Sequence, residues 1–147
     1  MRKRAIWGTV LAALLVVAWM LWPRSLAKAF DAEQQFVATV VKTGVKDGES
    51  WSDSSEQYDL EGSAALREVL EDYSYHLCWD TLRSANSMDL KGGTDETVYL
   101  YNAGAEALTT GGTSQVMLNG RIYRIGYLGN RRGTALSQEL LAALRAE

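Results

Sequence analysis

The stretch that decides the fold is SQVMLNGRIYRIGY, residues 114–127. Two runs of alternating apolar and polar residues flank Asn119-Gly120. This dipeptide is the favoured two-residue hairpin turn, because both of its positions need φ > 0. A turn there pairs Leu118 with Arg121, Met117 with Ile122 and Val116 with Tyr123 on antiparallel strands. Val116, Leu118, Tyr123 and Ile125 then share one face, which is assigned to the core.

Such a face needs an apolar cover, and the flanking sequence supplies two helices. Downstream, Leu136, Leu140, Leu141 and Leu144 recur at helical spacing, with Thr134 or Ser137 able to cap the helix. Upstream, Ser63 is the N-cap for AALREVLEDY, where Leu66, Val69, Leu70 and Tyr73 form one apolar stripe. Strand patterning also marks QFVATVVKTG (35–44), QYDLEG (57–62), YSYHLCWDTL (73–82) and TVYLYN (97–102). Residues 45–57, polar and rich in Gly and Ser, read as a loop or wide hairpin carrying Trp51, and 83–96 and 103–112 read as further connections. Residues 30–35 read as a stalk. The order β-β-α-β-β-β-β-α predicts an α+β domain, with an antiparallel sheet of about six strands and two helices packed on one face. There is no internal repeat.

The N-terminus carries the clearest statement about location. Arg2, Lys3 and Arg4 precede Ala5–Trp22, eighteen residues without a charge. As a helix that run is about 27 Å long, just enough to cross the hydrocarbon core of a bilayer. The basic tip predicts a cytoplasmic N-terminus and a chain that lies outside after Pro23, in a single pass of the plasma membrane. Trp7, Trp19 and Trp22 fall near the two interfaces, where indole rings are favoured, and serve as the anchor residues. The expected division is 1–29, basic tip plus transmembrane signal anchor, and 30–147, extracytoplasmic domain. A cleaved signal peptide is the alternative: Ala27 and Ala29 form an A-x-A pattern, which would release a secreted domain. Against cleavage, the apolar run exceeds the usual h-region, and Arg24 and Lys28 flank it.

Composition narrows the function classes. Without Arg2, Lys3, Arg4, Arg24 and Lys28, ten basic residues remain against eighteen acidic ones, a net of −8. That charge argues against nucleic acid as a partner. The single cysteine, Cys78, excludes an internal disulfide and leaves an intermolecular one as its open role.

YSYHLCWDTL holds the only His and the only Cys. In a strand, Tyr75, Leu77 and Trp79 take the core face, and His76, Cys78 and Asp80 the outer one. Residues two apart on a strand have Cα atoms about 6.5–7 Å apart, whereas a thiolate–imidazole pair needs about 2.6–3.2 Å between heavy atoms. Zinc needs three or four ligands, and no second His or Cys exists. The stretch therefore reads as structural, with no catalytic residue, metal or cofactor expected.

Arg121, Arg124, Arg131 and Arg132 fall within twelve residues, whereas 47–72 holds nine acids and one arginine. Arginine forks suit phosphate and carboxylate, so these four with Trp51 are the candidate surface for an anionic partner. The alternative is that they face solvent or the domain's own acidic segment. Gly92-Gly93 and Gly111-Gly112 lack the Lys-Ser/Thr of a phosphate loop and read as turns. Residues 46–57 lack the ligand spacing of a calcium loop.

The pieces FVATVV, YDLEG, LREVLEDY and VMLNGRIYRI, behind an N-terminal apolar segment, resemble small membrane-anchored extracytoplasmic domains of unknown function from Gram-positive bacteria. The resemblance implies an anchored domain and no particular activity. Unlike many of those domains, this chain has no cysteine after the apolar run to carry lipid. The expected function is a non-catalytic binding or accessory module, held in the bilayer by residues 5–22 and serving an unidentified protein partner. Two alternatives are a secreted inhibitor or immunity-type protein cleaved after Ala29, and a thiol-dependent redox protein using Cys78.

Overall fold

The computed structural model describes residues 2–83, 88, 94–102, 105–127 and 132–147, excepting the side chains of 2–5, 45, 54, 55, 94, 95, 105, 106, 132 and 133. The apolar N-terminal run forms α1 (Arg2–Met20), 19 residues long. Its side chains from Ile6 to Trp19 are all exposed. The helix ends two residues earlier than the apolar run, because Pro23 pushes the residue before it out of helical conformation. Leu21 N still donates to Val17 O at 2.9 Å, but Trp22 N reaches only Trp19 O, at 3.4 Å. The expected span Ala5–Trp22 is thus not helical throughout, and among the described residues no helix is long and apolar enough to cross a membrane.

The chain then enters the domain at once. β1 (Arg24–Ser25) is followed by Leu26, fully buried, and Phe30, 2% exposed. Residues 30–35 are therefore no stalk: the Phe30 ring packs edge-on against Phe36 at 5.6 Å. β2 (Phe36–Lys46) and β3 (Glu49–Leu60) form one long hairpin. Its turn is Asp47-Gly48, with φ of 54° and 82°. Of the two readings of 45–57, loop or wide hairpin, the structure has the hairpin, tighter than expected; the run is polar because β3 is a sheet edge, where charged side chains discourage further strand pairing.

α2 (Ala64–Glu71) starts as expected, with Ser63 Oγ accepting from Leu66 N at 3.1 Å and Leu66 and Leu70 fully buried. The 73–82 stretch is not one strand. It divides into β4 (Ser74–His76) and a single helical turn, α3 (Trp79–Leu82). β5 (Thr94–Asn102) and β6 (Ala105–Thr110) follow, the latter in a segment expected to be a connection. β7 (Gln115–Leu118) and β8 (Arg121–Ile125) make the predicted hairpin in the predicted register, with φ of 48° at Asn119 and 74° at Gly120. α4 (Arg132–Ala146) closes the chain. It begins before Thr134, so neither Thr134 nor Ser137 is its cap. Both instead tie the helix to the sheet side, Thr134 Oγ1 donating to Gly112 O at 2.9 Å and Ser137 Oγ to Glu96 O at 3.1 Å.

The fold class is α+β, with one antiparallel sheet of eight strands in the order β1-β4-β8-β7-β6-β5-β2-β3, two more than expected. The core lies on one face. Phe36, Ala38 and Val40 of β2, Val98 and Leu100 of β5, Leu108, Val116, Leu118 and Ile125 are buried there beneath Leu66 and Leu70 of α2 and Leu136, Leu140, Leu141 and Leu144 of α4. α3 covers the opposite face at the β8 end, where Ile122 is fully buried.

Candidate functional site

His76, Cys78 and Asp80 are turned toward three different sets of partners. His76 is buried, 5% exposed, and stacks on Tyr127 with ring centroids 4.7 Å apart. Burial, then the nearby Arg124 and Arg24, hold its imidazole below the usual pKa, so it is neutral at pH 7. Cys78 is half-buried and its Sγ lies 3.4 Å from Thr81 Oγ1 and 3.9 Å from Ile122 O. Asp80 accepts from Arg83 Nε at 3.0 Å and from Gln115 Nε2 at 3.0 Å. The burial assigned from alternation is reversed at two positions: His76 is buried, whereas Trp79 is 71% exposed. The cause is Thr81. It accepts from Cys78 N at 3.0 Å and donates to Ile122 O, which coils 79–82 into a turn and swings Trp79 outward.

The described members of the expected arginine surface, Arg121, Arg124 and Trp51, are not gathered in one place. Arg121 and Arg124 are exposed on β8, but three residues apart on a strand they point to opposite sheet faces. Arg131 lies outside the described residues, as does the side chain of Arg132 at the first position of α4. Trp51 is on β3, five strands from β8 in the sheet order, about 24 Å at ordinary strand spacing. Gly92-Gly93 also lies outside the described residues.

An arginine that sequence reasoning passed over does meet the acidic segment. Arg145, near the end of α4, donates from Nε and Nη2 to the two carboxylate oxygens of Glu56 at 3.0 and 2.8 Å, and from Nη2 to Glu96 at 2.9 Å. Tyr58 Oη donates to Glu56 at 2.6 Å. The Arg145 fork and the Tyr58 hydroxyl hold the Glu56 carboxyl at about 2. Beside this group is an open cleft of about 400 Å³, lined by Lys42, Glu96, Gly112, Thr134, Ser137, Gln138 and Leu141. The Thr134 and Ser137 hydroxyls donate to backbone carbonyls and Glu96 accepts from Arg145, so among the described residues lining the cleft these groups form no nucleophile–base pair. Among the described residues there is no cluster of three or more His, Cys, Asp or Glu suited to a metal ion.

The most unusual chemistry is at the exit of α1. A helix leaves its last carbonyls without partners. Here the domain supplies donors: Leu77 N to Met20 O at 3.1 Å, and Tyr127 Oη to Leu21 O at 2.6 Å. The Arg24 guanidinium lies over the Trp19 ring, 5.7 Å from its centroid. The helix is thereby fixed to the domain with no linker. Comparison of the chain with family models, with curated proteins and with solved structures gave no match.

Proposed function

We propose that the chain is a non-catalytic binding or accessory module, held at the outer face of the plasma membrane by its N-terminal helix, with the basic tip in the cytoplasm. One observation carries this reading: every side chain from Ile6 to Trp19 is exposed, so the domain gives α1 no apolar surface to pack on. A helix apolar all round and unpacked is unfavourable in water and favourable in lipid. The helical part of the uncharged run, Ala5–Met20, is sixteen residues, about 24 Å, and Leu21–Trp22 extend it toward the roughly 30 Å of a hydrocarbon core.

Retention is favoured over cleavage by the packing around Ala29. Cutting there would remove β1 and the fully buried Leu26, both part of the folded domain. Ala27 and Ala29 themselves pack against the core rather than offering an extended site. The thiol reading has less support, because His76 stacks on Tyr127 instead of approaching Cys78.

The test is the full chain expressed with a tag at each end. The expected product keeps an intact mass of 16.2 kDa plus tags, resists alkaline extraction from membranes, and loses only its C-terminal tag to protease added outside the cell. A mass short of the first 29 residues, or release by alkali, sinks the proposal.

A further inference from the structure

α3 is tied down on one side only. Thr81 holds it to Ile122 O and Asp80 holds it to Gln115, so the remaining positions, Trp79 and Leu82, point away from the sheet. They are 71% and 48% exposed, and Tyr127 is 46% exposed. A water-facing turn gains nothing from Trp and Leu there. Tyr127, and Trp79 through its neighbour Leu77, lie near the end of α1. Leu77, two residues before Trp79, bonds Met20 O, and the Tyr127 hydroxyl bonds Leu21 O. Trp22, 67% exposed, follows in the same turn. Arg24 sits over Trp19, and one of its guanidinium nitrogens is buried with no hydrogen-bond partner among the described residues.

Resting on the membrane-anchor reading, we infer that Trp79, Leu82, Tyr127 and Trp22 form a footing that sinks into the headgroup–acyl boundary of a phospholipid bilayer around the exit of α1. Three observations select lipid as the occupant. The footing continues the surface of a helix apolar all round, at the depth fixed by the two hydrogen bonds. Three of its four members, Trp79, Tyr127 and Trp22, are the amphipathic aromatics favoured at a membrane interface, with a cation, Arg24, two residues beyond Trp22. The helical run is also slightly short for a bilayer, and a domain drawn into the interface makes up that length. Consequently the domain is held in one orientation and does not swing on a tether, so its far edge, β3, faces away from the membrane.

The test uses the full chain carrying Cys78→Ser, with a single cysteine introduced in turn by Leu14→Cys, Trp79→Cys, Leu82→Cys or Trp51→Cys. Each variant is labelled with an environment-sensitive fluorophore and reconstituted into phosphatidylcholine–phosphatidylglycerol vesicles with or without brominated acyl chains. The expected result is a blue shift and loss of most emission to bromine at 14, a smaller shift with clear quenching at 79 and 82, and neither at 51. Quenching at 14 with none at 79 and 82 overturns the footing while the anchor stands. No quenching at 14 overturns the anchor and the footing with it. A blue shift at 79 without lipid quenching, with self-quenching between labels, assigns the surface to a second copy and overturns the footing.

Discussion

Gly44 and Trp51 face each other across the β2–β3 hairpin, and a Cβ added at Gly44 would lie 2.6 Å from two carbons of the indole ring. The ring therefore covers the glycine, as aromatic side chains do for strand glycines that have no side chain to pack. Trp51 is 40% exposed because it lies on this hairpin surface. Gly44→Ala should lower stability by about 1–3 kcal/mol by forcing the ring off. Adding Trp51→Ala should recover part of that loss, since alanine with no opposing ring is better than glycine in a strand. Denaturant midpoints of the parent, both single variants and the double variant test this; two independent, additive effects would refute the contact. His76 gives a pH prediction. Its folded pKa lies below the unfolded value of about 6.5, so the unfolded chain binds more protons between the two, and stability there rises with pH. His76's contribution is complete above about pH 6.5 and is lost as pH falls toward the folded pKa. His76→Phe keeps a ring against Tyr127 and should flatten the midpoint between pH 7.5 and 5.5; an unchanged slope would assign it to other groups.

At the scale of elements, the sequence is legible where local turn chemistry and packing agree. Asn119-Gly120 set a register that the structure reproduces pair for pair, and Ser63 caps α2. Asp47-Gly48 is an equally good turn signal, but the polar, Gly- and Ser-rich run around it leaves loop and wide hairpin both open in the sequence. An edge strand needs polar residues, and which strand is an edge is decided by long-range pairing that composition does not carry. The same holds for α3, where one hydrogen bond from Thr81 to a strand 41 residues away outweighs the alternation of 73–82. Arg145, outside the candidate surface, was invisible because its carboxylates lie 89 and 49 residues away. The segment after α1 likewise has a partner far away in sequence. Leu26 N bonds Tyr73 O at 3.0 Å, and the Leu26 side chain is fully buried. Leu26→Ala should cost about 2–5 kcal/mol, the range for truncating a buried leucine. An unfolding free energy within about 0.5 kcal/mol of the parent, the usual scatter for surface changes, would mean this segment is peripheral.

For the whole molecule, β1 and Leu26, which precede the expected boundary at Phe30, pair with β4 and join the core. The sheet has two edges of different character. β1 is only two residues long, while β3 is twelve residues long and carries Glu49, Asp53, Glu56 and Asp59. Removing β1 would bare β4, a short strand with the partly buried Tyr75, whose ring packs on Tyr123 at 4.9 Å. A chain beginning at Pro23 keeps β1, Leu26 and Phe30, and it exposes to water the donors that had capped α1 and the Arg24 guanidinium that lay over Trp19. It should unfold in one cooperative transition. A chain beginning at Phe30, the product of cleavage after Ala29, lacks the β1–β4 pairing and the Leu26 side chain. Its loss is at least that of Leu26→Ala, a large share of the roughly 5–15 kcal/mol that holds a domain folded. It should therefore show little near-ultraviolet circular dichroism and no sharp transition. Equal midpoints for the two chains would mean that the domain does not need residues 23–29, and the secreted alternative would then regain its footing against the anchored one.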